Sequence, residues 1–192
     1  MERTQRQMRC KAANFTTRED GEALRIEGYF AVFNSNYEIA PGMSESIAPG
    51  AFSGSISGDV RALINHDTTL VLGRSKAGTL ELREDAHGLW GGIVINPNDG
   101  DAMNLYERVK RGDVDQCSIG FEIRSEDTDI REDGSIHWTI KEVDPLYEVS
   151  CCTFPAYEET NIAARSAQRD HIRERELQAW RERQKERLTN GT

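Results

Sequence analysis

Brief apolar, β-prone runs separated by Gly, Asn, Asp and Pro dominate residues 22–155, and this succession constrains the fold more than any other feature of the chain. Runs of that kind describe short strands joined by tight turns, with little room for helix. They read as strands at 23–33 (ALRIEGYFAVF), 59–66 (DVRALINH), 70–74, 78–84, 88–95 (GLWGGIVI), 115–125, 135–143 and 146–153, with EDAHG and REDGS as hairpin turns. PGAFSGSI at 49–56 suits one short helical turn after Pro49, a residue tolerated at a helix start. One longer segment, NDGDAMNLYERVKRGDV, reads as a helix: Asn98 or Asp99 caps it, Met103, Leu105, Tyr106 and Val109 form an apolar stripe, and Gly112 ends it. The expected class is mainly β with flanking helices (α+β), arranged as a barrel or sandwich.

At 192 residues the chain suits one domain with appendages. Composition marks the boundaries. Residues 1–18 carry five basic side chains and one acid, residues 165–192 eight basic and five acidic, and 19–164 eleven basic against twenty-seven acidic. The expected division is a flexible basic N-terminal segment at 1–21, a β domain at 22–164 and a charged helical arm at 165–192, with sparse Ile172, Leu177, Trp180 and Leu188 on the arm. A body that acidic repels a phosphate backbone, so no nucleic-acid face is expected on it. No apolar stretch follows MERTQRQMRC, and no run approaches the roughly 20 apolar residues of a membrane span, so a soluble, unexported protein without a membrane partner is expected. Cys10, Cys117, Cys151 and Cys152 form no CxxC pair and have no His at ligand spacing, which predicts neither a zinc site nor a disulfide framework. Adjacent Cys151 and Cys152 point to opposite faces of a strand, as small buried hydrophobes.

The run VDQCSIGFEI at 114–123 is where chemistry enters. Period-two alternation puts Cys117, Ile119, Phe121 and Ile123 on one face and Ser118, Gly120, Glu122 and Arg124 on the other, so Ser118 faces away from the core beside a glycine that lets another backbone approach. A serine hydroxyl is inert near neutral pH without a base. Of the four histidines, His87 falls in a hairpin turn, His137 beside Trp138, and His171 in the charged arm. Only His66 ends an apolar strand, VRALINHD, sharing a face with Val60, Ala62 and Ile64. A third group would orient the imidazole. In DPLYEVSCCTFPAY the period of two sets Leu146, Glu148, Ser150 and Cys152 on one face, which places a carboxylate in an apolar run where a charge needs a partner. Asp67, Glu122 and Asp144 are alternatives, and a purely structural Glu148 bonded to backbone fits the same pattern.

Taken in order, GYFAVFN, APGAF, LINHD, GLWGGIVI, the LYERVKRGDVDQCSIGF helix and strand, and LYEVSCCTFPAY resemble the prohead maturation proteases of HK97-type tailed bacteriophages over residues 22–165. That resemblance implies an antiparallel β-barrel similar to the herpesvirus assembly proteases. It also implies a serine endopeptidase with His66 as base, Ser118 as nucleophile and Glu148 as third member, and leaves Cys117 as a rival nucleophile. The implied substrates are scaffold or the scaffold-like segment of the major capsid protein, and the enzyme itself, inside the procapsid in the host cytoplasm. No cofactor is implied, and a homo-oligomer is compatible with the reading. The competing readings are a non-catalytic β-barrel assembly protein of the capsid or tail, and an esterase, which lacks the G-x-S-x-G elbow.

Overall fold

In the computed structural model of the chain, which describes residues 7–13, 15–20 and 23–154, eleven strands form two sheets, accompanied by one α-helix. The larger sheet runs β1 (Gln7–Ala12), β10 (Gln116–Ile130), β11 (Ile136–Cys152), β5 (Met43–Ile47) and β4 (Tyr37–Ala40), with β6 (Arg61–Ile64) also beside β11 and β7 (Asp67–Arg74) beside β6. The smaller runs β2 (Thr16–Asp20), β3 (Ala23–Val32), β9 (Gly88–Ile95) and β8 (Leu80–Glu84). Both owe their form to alternation. Ile26 and Phe30 of β3, Ile93 and Ile95 of β9, Cys117, Ile119 and Phe121 of β10, and Val149 and Cys151 of β11 all turn into one buried cluster. Each large apolar side chain buried there stabilises the fold by roughly 1.5–3 kcal/mol.

Helix α1 (Gly100–Arg111) leads into β10 and closes the cluster with Ala102, Leu105, Tyr106 and Val109, while Met103 packs against it only partly buried. Its start is set by the Asp99 carboxylate, which accepts hydrogen bonds from the backbone N–H groups of Asp101 and Ala102. Its end is set by Gly112 at φ 86°, a left-handed position that favours glycine.

Several expectations need correction. Two open sheets are formed among the described residues where an antiparallel barrel was expected, and β11 pairs in parallel with both β5 and β6. Much of the 1–21 segment, expected to be flexible, is strand: β1 pairs with β10, and β2 with β3. Arg9 is buried in an ion pair with Glu45 of β5, its Nη2 donating to Oε2 at 2.8 Å, so a basic side chain of this segment anchors β1. The predicted strands at 135–143 and 146–153 are one strand, since β11 passes through Asp144–Pro145 with a series of register shifts in its pairing to β10. The predicted helical turn at 49–56 is a series of tight turns, its backbone N–H groups at Gly50 and Phe52 bonded to the Glu84 carboxylate. The predicted arm at 165–192 lies outside the described residues.

Candidate active site

Strand β11 supplies most of the site. Antiparallel pairing to β10 sets Ser118 opposite Ser150, Gly120 opposite Glu148 and Gln116 opposite Cys152. Directly opposed residues project to the same side, so Ser118, Glu148, Ser150 and Cys152 share the face turned away from the main apolar cluster. The alternation read from the sequence holds here, with one change: that face is not open to solvent at Ser118, which is fully buried. Its Oγ has no hydrogen-bond partner among the described residues.

His66 reaches this face by a route the sequence reading did not anticipate. The parallel ladder of β6 on β11 ends at Ile64, and Asn65 and His66 both adopt left-handed backbone angles, φ 49° and 63°. Two consecutive non-glycine residues in that region carry strain of about 1–3 kcal/mol each, which the surroundings must offset. Here they do so with named bonds. The Asn65 backbone N–H donates to Cys151 O at 3.0 Å, and its side-chain Oδ1 accepts from the Thr153 N–H at 2.9 Å. The His66 backbone N–H donates to Ser150 Oγ at 3.2 Å. The turn thus carries the imidazole across the end of β6 and over β11, where a continued strand would have left it beside Ile64.

Once there, the ring is held by Glu148. His66 Nδ1 lies 2.7 Å from Glu148 Oε1, and Ser150 Oγ donates to Glu148 Oε2 at 2.6 Å. The carboxylate is 2 % exposed, so both of its oxygens are engaged in a nearly water-free setting, where hydrogen bonds to a charge are strong. Nε2, across the ring, lies 3.9 Å from Cys152 Sγ. The backbone of His66, its ring, Ser150 and Glu148 form a closed loop of three hydrogen bonds. Ser150→Ala removes the hydroxyl that links the His66 backbone N–H to the buried Glu148 carboxylate. It should lower stability by about 1–3 kcal/mol, read as a drop in the thermal unfolding midpoint.

The other residues weighed from sequence sit elsewhere. Asp67 is exposed and accepts from Thr69, Glu122 accepts from the Tyr147 hydroxyl, and Asp144 pairs with Arg124 at 2.5 Å. Arg124, placed by alternation on the Ser118 face, is exposed between Asp144 and Glu142. Cys117 faces the apolar cluster, 3.4 Å from the carbonyl oxygens of both Tyr29 and Phe30, on the side opposite Ser118. Burial pushes the Cys151 thiol well above its ordinary value. His87 stacks edge-on against Tyr29, and His137 is bracketed by Ser44 Oγ at 2.8 Å and Ser46 Oγ at 2.9 Å. His171 lies outside the described residues. The residue sequence reasoning undervalued is Cys152: the period of two aligned it with Glu148 and Ser150, yet it was read as a packing hydrophobe.

A buried serine on a sheet face, with a histidine fixed by a buried carboxylate on the neighbouring strand of that face, supplies the parts of a nucleophile, base and orienting group. Comparison with known proteins leads to the same class. A family model described as the caudovirus prohead serine protease matches residues 11–175, and the chain belongs to that family. It is 33% identical over 149 residues to the prohead protease of Enterobacteria phage HK97, which covers 76% of this chain and 61% of that protein, so the chain spans about three-fifths of that relative's length. In fold it is similar to the capsid assembly protease gp21 of bacteriophage T4, with a TM-score of 0.52 and 11% identity over 79% of this chain and 98% of that one.

Proposed function

We propose that the chain is a serine endopeptidase of phage procapsid maturation, with Ser118 as nucleophile, His66 as general base and Glu148 as the group that orients and balances the imidazole. The observation that carries the reading is the His66–Glu148 contact on the face that also bears Ser118. In this mechanism Ser118 Oγ attacks the scissile carbonyl while Nε2 of His66 takes its proton, and Glu148 stabilises the imidazolium. His66 then returns the proton to the leaving amine, and water hydrolyses the acyl-enzyme by the same steps in reverse order. Backbone N–H groups near Ser118 serve the oxyanion. Gly120, opposite Glu148, leaves the face low where a peptide must approach.

The substrates in this reading are scaffold or the scaffold-like segment of the major capsid protein, and the enzyme's own chain, cut inside the procapsid in the host cytoplasm. The 22–164 region is the protease domain in this reading, and 165–192 is an arm that tethers it to scaffold during assembly. Self-association of the enzyme fits the same setting.

Co-expression with the phage's own capsid and scaffold proteins tests the reading directly. N-terminal sequencing should find new termini in at least one of them, and a serine-reactive fluorophosphonate should label Ser118. Intact capsid and scaffold proteins together with an unlabelled serine would overturn it in favour of a non-catalytic assembly protein, the alternative with which a fully buried Ser118 is compatible.

A further inference from the structure

We propose that Arg61 and Lys76, at the flank of the sheet face that bears Ser118, take an acidic side chain of the peptide substrate; the assignment rests on the reading of that face as the catalytic one. The face extends beyond β11. Pairing sets Ser118, Ser150, Leu63 and Val71 in one row across β10, β11, β6 and β7, and Gly120, Glu148, Arg61 and Arg74 in the next. Directly paired residues project to the same side, so both arginines stand on the Ser118 side. Ala62 and Ile64, which alternate with Arg61 and Leu63, turn into the apolar cluster instead. Two strand spacings put Arg61 about 10 Å from Gly120 across the sheet, the length of about three extended residues.

Three cations surround one carboxylate here. Arg74 meets Asp59 with a planar fork, Nε to Oδ1 at 2.7 Å and Nη2 to Oδ2 at 2.6 Å, which engages both oxygens. Arg61 Nη2 is 3.3 Å from Oδ2 and Lys76 Nζ 3.9 Å from it, so these two are held more loosely. The Arg74 hydrogen bonds, with the charges of Arg61 and Lys76 adding to them, draw the Asp59 carboxyl down to about 2, so it is ionised at neutral pH. Arg74 and Asp59 thus balance one another, and the charges of Arg61 and Lys76 are in surplus on a body with far more acid than base.

The surplus is open and preorganised. Arg61 is 44% exposed and Lys76 68%, whereas the same face is closed over Ser118. The short turn Ser75–Ala77 that carries Lys76 is fastened to the strand before it: Ser75 Oγ donates to Gly58 O at 2.8 Å and accepts from the Val60 N–H at 2.9 Å, and the Ser75 N–H donates to Val60 O at 2.9 Å. A carboxylate therefore meets cations already in place, with little ordering left to cost affinity. Exposed Val71, in the neighbouring row, gives the same chain an apolar contact, which suits a peptide. A phosphate backbone is disfavoured by Asp59 at the centre of the cluster and by the acidic body around it.

The test uses the full chain and two fluorescein-labelled Gly/Ser peptides of equal length that differ only in carrying three Glu or three Gln. At low salt, fluorescence anisotropy should show the Glu peptide bound about three- to tenfold more tightly, the scale of two partly exposed ion pairs. About 0.5 M NaCl should erase that preference. It should vanish in Arg61→Gln/Lys76→Gln, which leaves the Arg74–Asp59 pair in place, and persist in Arg108→Gln/Lys110→Gln, which removes the same charge from α1. In cleavage of a capsid-protein substrate, the first variant should raise KM by the same factor at unchanged kcat. Equal binding of the two peptides, a preference that survives in the first variant or falls equally in both, or a loss in kcat in place of KM would overturn the proposal. A labelled oligothymidylate bound more tightly than the Glu peptide, and released by the first variant, would overturn it in favour of a nucleic-acid site. If the wild-type chain cleaves nothing, yet the Glu preference is present and depends on Arg61 and Lys76, the acidic-peptide subsite stands and the protease reading fails.

Discussion

Ser118→Ala is expected to abolish processing of the capsid substrate, by at least about 10³-fold, while leaving the protein as stable as before or slightly more so. The two halves of that expectation have separate origins. Loss of cleavage follows from removing the atom that attacks. Retained stability follows from the buried hydroxyl having no hydrogen-bond partner among the described residues: a buried polar group left unpaired costs the fold about 1–3 kcal/mol, and alanine removes the group without leaving an orphan. A thermal melt of the variant should therefore match or exceed the wild type. Few substitutions at a buried site combine complete loss of activity with no loss of stability, and the combination is characteristic of a residue kept for function. A serine that merely packed would give the opposite pattern, with cleavage unchanged.

The second large effect is expected at Glu148, where two variants separate charge from hydrogen bonding. Glu148→Gln retains an oxygen for the His66 Nδ1–H and turns its amide N–H toward Ser150 Oγ, which can accept as well as donate. Its fold should survive with a modest drop in melting temperature. Its rate should fall by about 10²–10⁴-fold, because a neutral amide neither balances the imidazolium nor enforces the tautomer in which Nε2 is the proton acceptor. Glu148→Ala removes both hydrogen bonds at a residue 2 % exposed and should destabilise the protein by about 1–3 kcal/mol as well. Measuring kcat/KM alongside a thermal melt for the pair decides the assignment. If Gln were as active as Glu, the carboxylate would be structural only.

How far the sequence could lead is clearest residue by residue. Helix α1 was legible at both ends because a cap at Asn98 or Asp99, the stripe of Leu105, Tyr106 and Val109, and Gly112 are local signals; within the stripe Ala102 is buried where Met103 was expected and Met103 is only partly so. The two faces of β10 were legible for the same reason, since alternation from Cys117 to Phe121 is set by the pleat alone. Strands β4 and β5 were missed: YEIA and MSESI are too short and too polar to stand out, and β5 exists because β11 offers it a parallel edge. The N-terminal strands were missed because their charge suggested solvent, while the partner that neutralises Arg9 lies 36 residues away at Glu45.

The residues of the candidate site were singled out in the sequence, and the way they are brought together was not. His66 was singled out as the end of a strand, but a left-handed turn delivers it, and backbone angles of that kind leave no trace in an apolar pattern. Glu148 was singled out by the cost of burying a lone charge, and the structure supplies the partner that cost demands. Cys152 was passed over because a cysteine in an apolar run is more often a packing residue, and only the geometry of the turn brings the imidazole beside it.

One consequence of β11 concerns where such a chain can lengthen or shorten without harm. Glu148, Ser150 and Cys152 sit on it at alternate positions, and β6, which carries the turn to His66, pairs with its residues Glu148 to Cys151. Deletion of Tyr147 would therefore turn every one of these side chains to the wrong side at once and bring Val149 and Cys151 to the face that bears Ser118. The hairpin tip at 131–135 joins β10 to β11 far along the strand from that register, so insertions there would leave the spacing of the site untouched. Variation in length is expected to collect at that tip and to be absent from the seven positions that end at Cys152.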